Sequence, residues 1–234
     1  MLHKDSFIIE PHTFELIPQL QAIPALKEFY LVGGTALALQ LGHRNSIDID
    51  LFTKNDFSVE DLLSALASHF SVQSTFRANG TLLSFVENVK VDFIRHPYPL
   101  ILPPITEEGI TFLSKEDIVA MKLNAISNSG KRLKDFIDVY FLLEHFSLSE
   151  MIGFYTTKYP NFNPLIAIRA INYFEDIDPS IDPKIKNQTS TGRNQKTHQR
   201  QRTAFKEEIL KTSHKLVKKS IPIQSVIRAD TSYF

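Results

Sequence analysis

The chain of 234 residues contains no cysteine. That excludes a disulfide framework, a thiolate nucleophile and any metal site built on cysteine. It also lacks an apolar run of the roughly 20 residues needed to span a bilayer. The first residues, MLHKDSFIIEPH, carry charge early and contain no apolar core of a secretory signal. The expectation is a cytoplasmic protein with no membrane partner. Net charge is absent as well, 26 Lys and Arg standing against 26 Asp and Glu, and no internal repeat is visible. The balance is uneven along the chain, however. Residues 1–180 hold 14 basic and 22 acidic side chains, and residues 181–234 hold 12 and 4, so minus 8 is followed by plus 8.

The hydrophobic content of 43% is enough for a real core. Residues 13–26 read as helix interrupted by Pro18 and Pro24, and 29–32 as a short buried strand ending at Gly33-Gly34. A short helix over 35–41 follows, then a strand over 46–52. Ser58 with Asp61 marks a capped helix to about residue 70. Strands are expected over 71–77, 81–87 and 89–94, the last two joined by a tight turn at Asn88. Pro97, Pro99, Pro103 and Pro104 mark a surface crossing. Helices then cover 114–127, capped by Ser114 with Asp117, and 131–146, 149–158 and 164–175. Residues 187–202, NQTSTGRNQKTHQRQR, are polar and basic and read as a mobile linker. The segment KEEILKTSHKLVKKS after it has the pattern of a basic amphipathic helix.

The chemistry concentrates in LVGGTALALQLGHRNSIDIDLF, residues 31–52. A glycine pair lets the backbone approach a ligand and opens a helix whose first N–H groups form an anion site. Fourteen positions after Gly34 come Asp48 and Asp50, which alternate with Ile47, Ile49 and Leu51. Alternation puts both carboxylates on one strand face, where they repel unless a cation sits between them. Paired hard carboxylates suit Mg²⁺. Asp92, in VDFI, is a third acid breaking an apolar strand pattern, and it joins the other two if the strands pair.

The string GGTALALQLGHRNSIDIDLF with the later VDFI resembles the nucleotidyltransferase superfamily of the polymerase-beta type. More narrowly, MKLNAISNSGKRLKDFIDVYFLL resembles the helical motif of the AbiEii/AbiGii toxin family, a Lys followed by Lys-Asp-x-x-Asp. The likeness spans roughly residues 25–175. It implies a Mg²⁺-dependent transfer of an NMP from an NTP, with two ions, to RNA, tRNA among the candidates, or to a protein. It also implies a toxin half of a toxin–antitoxin or phage-defence pair with a cognate antitoxin. Asp48, Asp50 and Asp92 would be metal ligands and catalytic acids, with Asp92 helping to deprotonate the attacking hydroxyl. Gly33, Gly34 and Thr35 would cradle the triphosphate. Lys122 and Asp138 would complete the catalytic set, Lys122 and Asp135 would reach the nucleotide, and Arg44 would partner phosphate or the protein itself.

Each residue has a blander reading. A glycine pair alone is a turn, and Asp-x-Asp alone is a solvated strand face; their spacing, with Asp92 behind them, favours the metal site. Lys122 could be a snorkelling lysine, Asp135 a helix-capping charge, and His43 a structural histidine, since hard Mg²⁺ disfavours imidazole. The alternatives to an enzyme of transfer are a catalytically idle nucleotide- or RNA-binding module of the same fold, or a metal-dependent nuclease. The expected architecture is α+β: a small mixed sheet with flanking helices over 1–105, a helical domain over 106–178, and a basic, partly disordered tail over 179–234.

Overall fold

The computed structural model describes residues 1–173 and 175–177. The linker, amphipathic helix and tail expected after residue 178 lie outside these residues. Two elements precede the sheet: helix α1 (Pro11–Gln21) and a single 3-10 turn at Pro24–Leu26. Pro18 lies inside α1 and does not end it. The loss of one main-chain hydrogen bond there is offset by the buried face of Leu16, Ile17 and Leu20.

Among the described residues seven strands form one mixed sheet in the order β3-β4-β5-β2-β1-β7-β6. They are β1 (Tyr30–Val32), β2 (Ile49–Thr53), β3 (Val72–Ala78), β4 (Thr81–Val86), β5 (Val89–Arg95), β6 (Ile105–Glu107) and β7 (Ile110–Phe112). Helix α2 (Gly33–Leu41) leaves β1 directly, and α3 (Val59–Ala67) follows β2. Ser58 caps α3 by accepting from the Asp61 N–H. Alternation along the central strands drives one face inward, with Leu31, Leu51, Leu82 and Phe93 each fully buried. The opposite face of β2 and β5 carries Asp50 and Asp92.

The hairpin β6–β7 replaces part of the crossing expected as irregular chain. Its turn is Glu108-Gly109, and Leu31 pairs with Phe112, so the sheet continues to residue 112. The boundary expected at residue 105 therefore falls inside β6.

Four helices complete the described chain: α4 (Lys115–Asn128), α5 (Leu133–Leu142), α6 (Leu148–Lys158) and α7 (Pro164–Ala170). They are fastened by a buried ion pair that the capping pattern at Ser114 conceals. Asp117 accepts from Ser114 Oγ at 2.7 Å, from the main-chain N–H of Ile101, and from Lys158 Nζ at 2.6 Å. Lys158 also donates to the carbonyl of Pro99, and both ionic side chains are 0% exposed. The proline-rich crossing is thereby tied to α4 and α6.

Removing one partner of such a pair strands a buried charge, which typically costs about 3–5 kcal/mol. Asp117→Leu alone is expected to lose about that much in urea unfolding, while Asp117→Leu combined with Lys158→Met recovers a large part of it. Equal losses in the single and double variants would show that the pair is not coupled.

Candidate active site

The glycine pair makes room for two side chains of the protein itself. Gly33 has φ +72°, open to glycine at little cost, and the Asp50 carboxylate lies where a Cβ on residue 33 would stand. Gly34 gives the same space to the Arg44 guanidinium. Asp50 is thus held against the N-terminal end of α2, where the helix dipole favours negative charge. Thr35 is 1% exposed, and its hydroxyl donates to Ser46 Oγ at 2.8 Å and contacts the Asp48 carbonyl. It is absent from the cleft lining. Its hydroxyl braces the segment entering β2.

The register answers the question left open about Asp92. Strands β2 and β5 are parallel neighbours, and Asp50 stands beside Asp92. Asp48 lies two residues before Asp50, just outside β2, with its carboxylate 3.7 Å from Lys134 Nζ. Asp92 Oδ2 accepts from Lys90 Nζ at 2.9 Å. Its other oxygen, Oδ1, is buried with no hydrogen-bond partner. Burial pushes the Asp50 carboxyl above its ordinary range; Lys122 opposes this, and the neighbouring Asp92 adds to it.

Behind these acids lies a second charged cluster. Asp138 is 0% exposed and accepts from Arg44 Nε at 2.7 Å, Arg44 Nη2 at 2.9 Å and His43 Nε2 at 2.7 Å, with Lys122 Nζ 2.7 Å away. Lys122 donates also to Asp135 at 2.8 Å, and Asp135 takes Arg132 on its other oxygen. Burial alone would raise the Asp138 carboxyl, but Arg44, Lys122 and His43 hold it well below the usual carboxylate range. Burial alone would likewise lower Lys122; Asp138 and Asp135 outweigh it and keep the ammonium charged. Lys122 is therefore a fixed cation and no snorkelling side chain.

A cleft of about 250 Å³ opens between the acids and helices α4 and α5. Gly33, Gly34, Arg44, Asp48, Asp50, Asp92, Lys122 and Asp135 line it; Asp138 supports it from behind. Lys90, Arg132 and Lys134 also line it. In the sequence Lys134 has a place in the Lys-Asp-x-x-Asp motif but no role, and neither Lys90 nor Arg132 is singled out; the signal available was their position beside an acid, as in Lys90-Val-Asp92 and Arg132-Leu-Lys134-Asp135. No three acidic or imidazole side chains among the described residues converge tightly enough to cage a cation unaided. Mg²⁺ rarely needs such a cage, because it takes one or two carboxylates and completes its shell with water and phosphate oxygens. The unpartnered Asp92 oxygen beside Asp50 fits that kind of ligation.

A glycine-opened helix, neighbouring strand acids and a helical lysine thus meet at one cleft. The family model for the nucleotidyl transferase AbiEii toxin of type IV toxin–antitoxin systems matches residues 18–221. The chain belongs to that family, which implies an NTP substrate and an antitoxin partner. An uncharacterized protein of Aquifex aeolicus is 32% identical over 171 residues, covering 69% of this chain and 81% of that one. Among solved structures, the nucleotidyltransferase toxin MenT4 of Mycobacterium tuberculosis is similar with a TM-score of 0.54 at 14% identity, over 90% of this chain and 85% of that one. JHP933 from Helicobacter pylori follows with a TM-score of 0.49 at 16% identity, over 98% and 99%. At such identities the structural likeness is one of fold.

The Asp138 cluster sets an acid limit. An unfolded aspartate takes up its proton near pH 4, above the folded value, so stability present at neutral pH is lost as pH falls from about 4 toward that lower value. Asp138→Asn is expected to be destabilised by several kcal/mol at pH 7 and to show a shallower loss on acidification than wild type. Parallel acid-unfolding curves for the two proteins would contradict this.

Proposed function

We propose that this enzyme moves an NMP from an NTP to a hydroxyl on an RNA, tRNA among the candidates, or on a protein, with Mg²⁺ held by Asp48, Asp50 and Asp92. The observation carrying this reading is the pairing of Asp50 with Asp92 across adjacent parallel strands, with one buried Asp92 oxygen lacking a partner. Bound there, Mg²⁺, commonly as two ions, supplies charge neutralisation for the attacking and leaving oxygens. Asp92 takes the proton of the acceptor hydroxyl. The hydroxyl oxygen bonds to the α-phosphorus, the bond from that phosphorus to the bridging oxygen breaks, and pyrophosphate leaves. Lys122 offsets the charge on the phosphates, while Lys134 and Arg132 extend the same positive wall along α5. Asp138 acts through Lys122 and Arg44 as a positioning residue. The helical half that follows the sheet closes the cleft over the nucleotide.

The test is transfer of label from each α-labelled NTP to total RNA and to protein, with wild type beside Asp48→Ala combined with Asp50→Ala. Label on a macromolecule is expected from wild type and should fall by about a hundredfold or more in the variant. No label from any NTP, and none released as pyrophosphate, would count against transfer and favour an idle binding module. Equal label from both proteins would remove these acids from the reaction.

A further inference from the structure

The acid-bearing face of the sheet does not end at Asp92. The register aligns Val32, Asp50, Asp92, Leu83 and Phe76 in one transverse row. The next row runs through Lys90, Phe85 and Gln73. Directly opposed residues share a face, so β4 and β3 continue the catalytic surface as an apolar shelf. Phe76 is 52% exposed and Phe85 40%, while the neighbouring Leu82 and Val86, which face the core, are fully buried. A strand pattern that buries one face this completely leaves two phenylalanines in solvent on the other. Neither lines the nucleotide cleft. With neighbouring strands about 4.8 Å apart, Phe76 lies about 10 Å from Asp92 along its row.

Reaction geometry says which substrate approaches over this shelf. In phosphoryl transfer the attacking and leaving oxygens lie roughly in line on opposite sides of the phosphorus. The cations Lys122, Arg132 and Lys134 gather on the α4–α5 side of the acids. Pyrophosphate leaves toward them, so the attacking hydroxyl comes from the other side, over Asp92 and β4. We propose that the shelf formed by Leu83, Phe85 and Phe76 is the acceptor site, and that it stacks the terminal bases of a single-stranded RNA end whose hydroxyl reaches Asp92. This rests on the transfer reading and names its acceptor.

The chemistry of the shelf favours RNA over a protein side chain. Exposed aromatic rings beside a cation are how proteins hold single strands without regard to sequence, because every base offers a π-face. Lys90 stands directly opposite Phe85 and is 44% exposed at its side chain, within reach of the phosphate next to the terminal base. The surplus of basic residues after residue 180 adds an attraction to polyanions at long range.

The chain has no tryptophan, so Phe85→Trp installs a single fluorescent reporter on the shelf. Titrated with a short mixed-sequence RNA bearing a free 3′ end, it should be quenched saturably, and much less by the same sequence as a blunt duplex. Phe76→Ala with Phe85→Ala should raise the KM for RNA about tenfold or more, leave the Kd for Mg·NTP unchanged, and melt at the wild-type temperature. Absence of quenching, or an unchanged KM for RNA in the alanine pair, overturns the shelf while leaving transfer intact. Label appearing on protein instead of RNA also overturns it. If wild type labels nothing, the transfer reading fails, and quenching alone decides whether the shelf binds RNA.

Discussion

The carboxylate of Asp138 has no exposure to solvent, so its charge must be met inside the protein. Two elements meet it: the loop after α2 sends His43 and Arg44, and α4 sends Lys122, while α5 carries the acid itself. Other features follow from that demand. Arg44 reaches Asp138 only by lying flat over residue 34, which is why a side chain there would collide with the guanidinium. Lys122, held from behind by Asp138, is presented to the cleft with its charge intact. Asp135 shares that ammonium and draws Arg132 to the rim. Buried ion pairs of this kind add little net stability over a well-packed apolar core, yet breaking one is costly. What the cluster contributes here is position.

Helix α4 is pinned twice. Asp117 in its first turn binds Lys158 and the main chain of the proline-rich crossing, and Lys122 binds Asp135 and Asp138. Five residues separate the two, which places them about 140° apart around the helix axis. One side of α4 therefore secures the crossing and α6, while another faces the acids. A helix fixed on both sides holds the lysine at a set distance from the sheet, which the proposed role of a charge-neutralising cation would require.

Much of this was legible in the sequence where one residue type served one periodic element. The strand carrying Asp50, the helix caps at Ser58 and Ser114, and the turn at Asn88 follow from local rules, and each forms within a few residues of its expected place, although β2 begins only after Asp48. The hairpin β6–β7 escaped notice because four prolines precede it and its turn is Glu108-Gly109, a weaker signal than Asn-Gly. The partners of the charged residues escaped for a different reason. Lys122 reads equally as a surface lysine, and Asp117 as an ordinary capping residue, until the fold brings Asp138 to one and Lys158 to the other, 16 and 41 positions away in the chain. Long-range pairing carries no periodicity, so no local pattern announces it. The glycine pair showed the same limit from the other side: its use of space was foreseeable, but the occupants, Asp50 and Arg44, were set by tertiary packing.

The cations around the acids fall into two kinds, and the difference bears on how such a site exchanges ligands. Asp50 and Asp92, side by side on adjacent strands, repel one another, and Asp48 adds to this; at about 5 Å and an effective dielectric constant of 20, such a pair costs about 3 kcal/mol. Lys90 on Asp92 and Lys134 near Asp48 relieve part of that, but their side chains are 44% and 32% exposed, and pairs open to solvent contribute about 0–1 kcal/mol each. Lys122 and Arg44 are buried and bound to the buried acids Asp135 and Asp138. On the proposed reading, a divalent cation arriving with a triphosphate would compete with two weak, solvent-facing ammonium groups and leave the buried pair untouched. Neutralisation of the acids is thus shared between buried cations, fixed by ion pairs of their own, and solvent-facing ones that are held weakly.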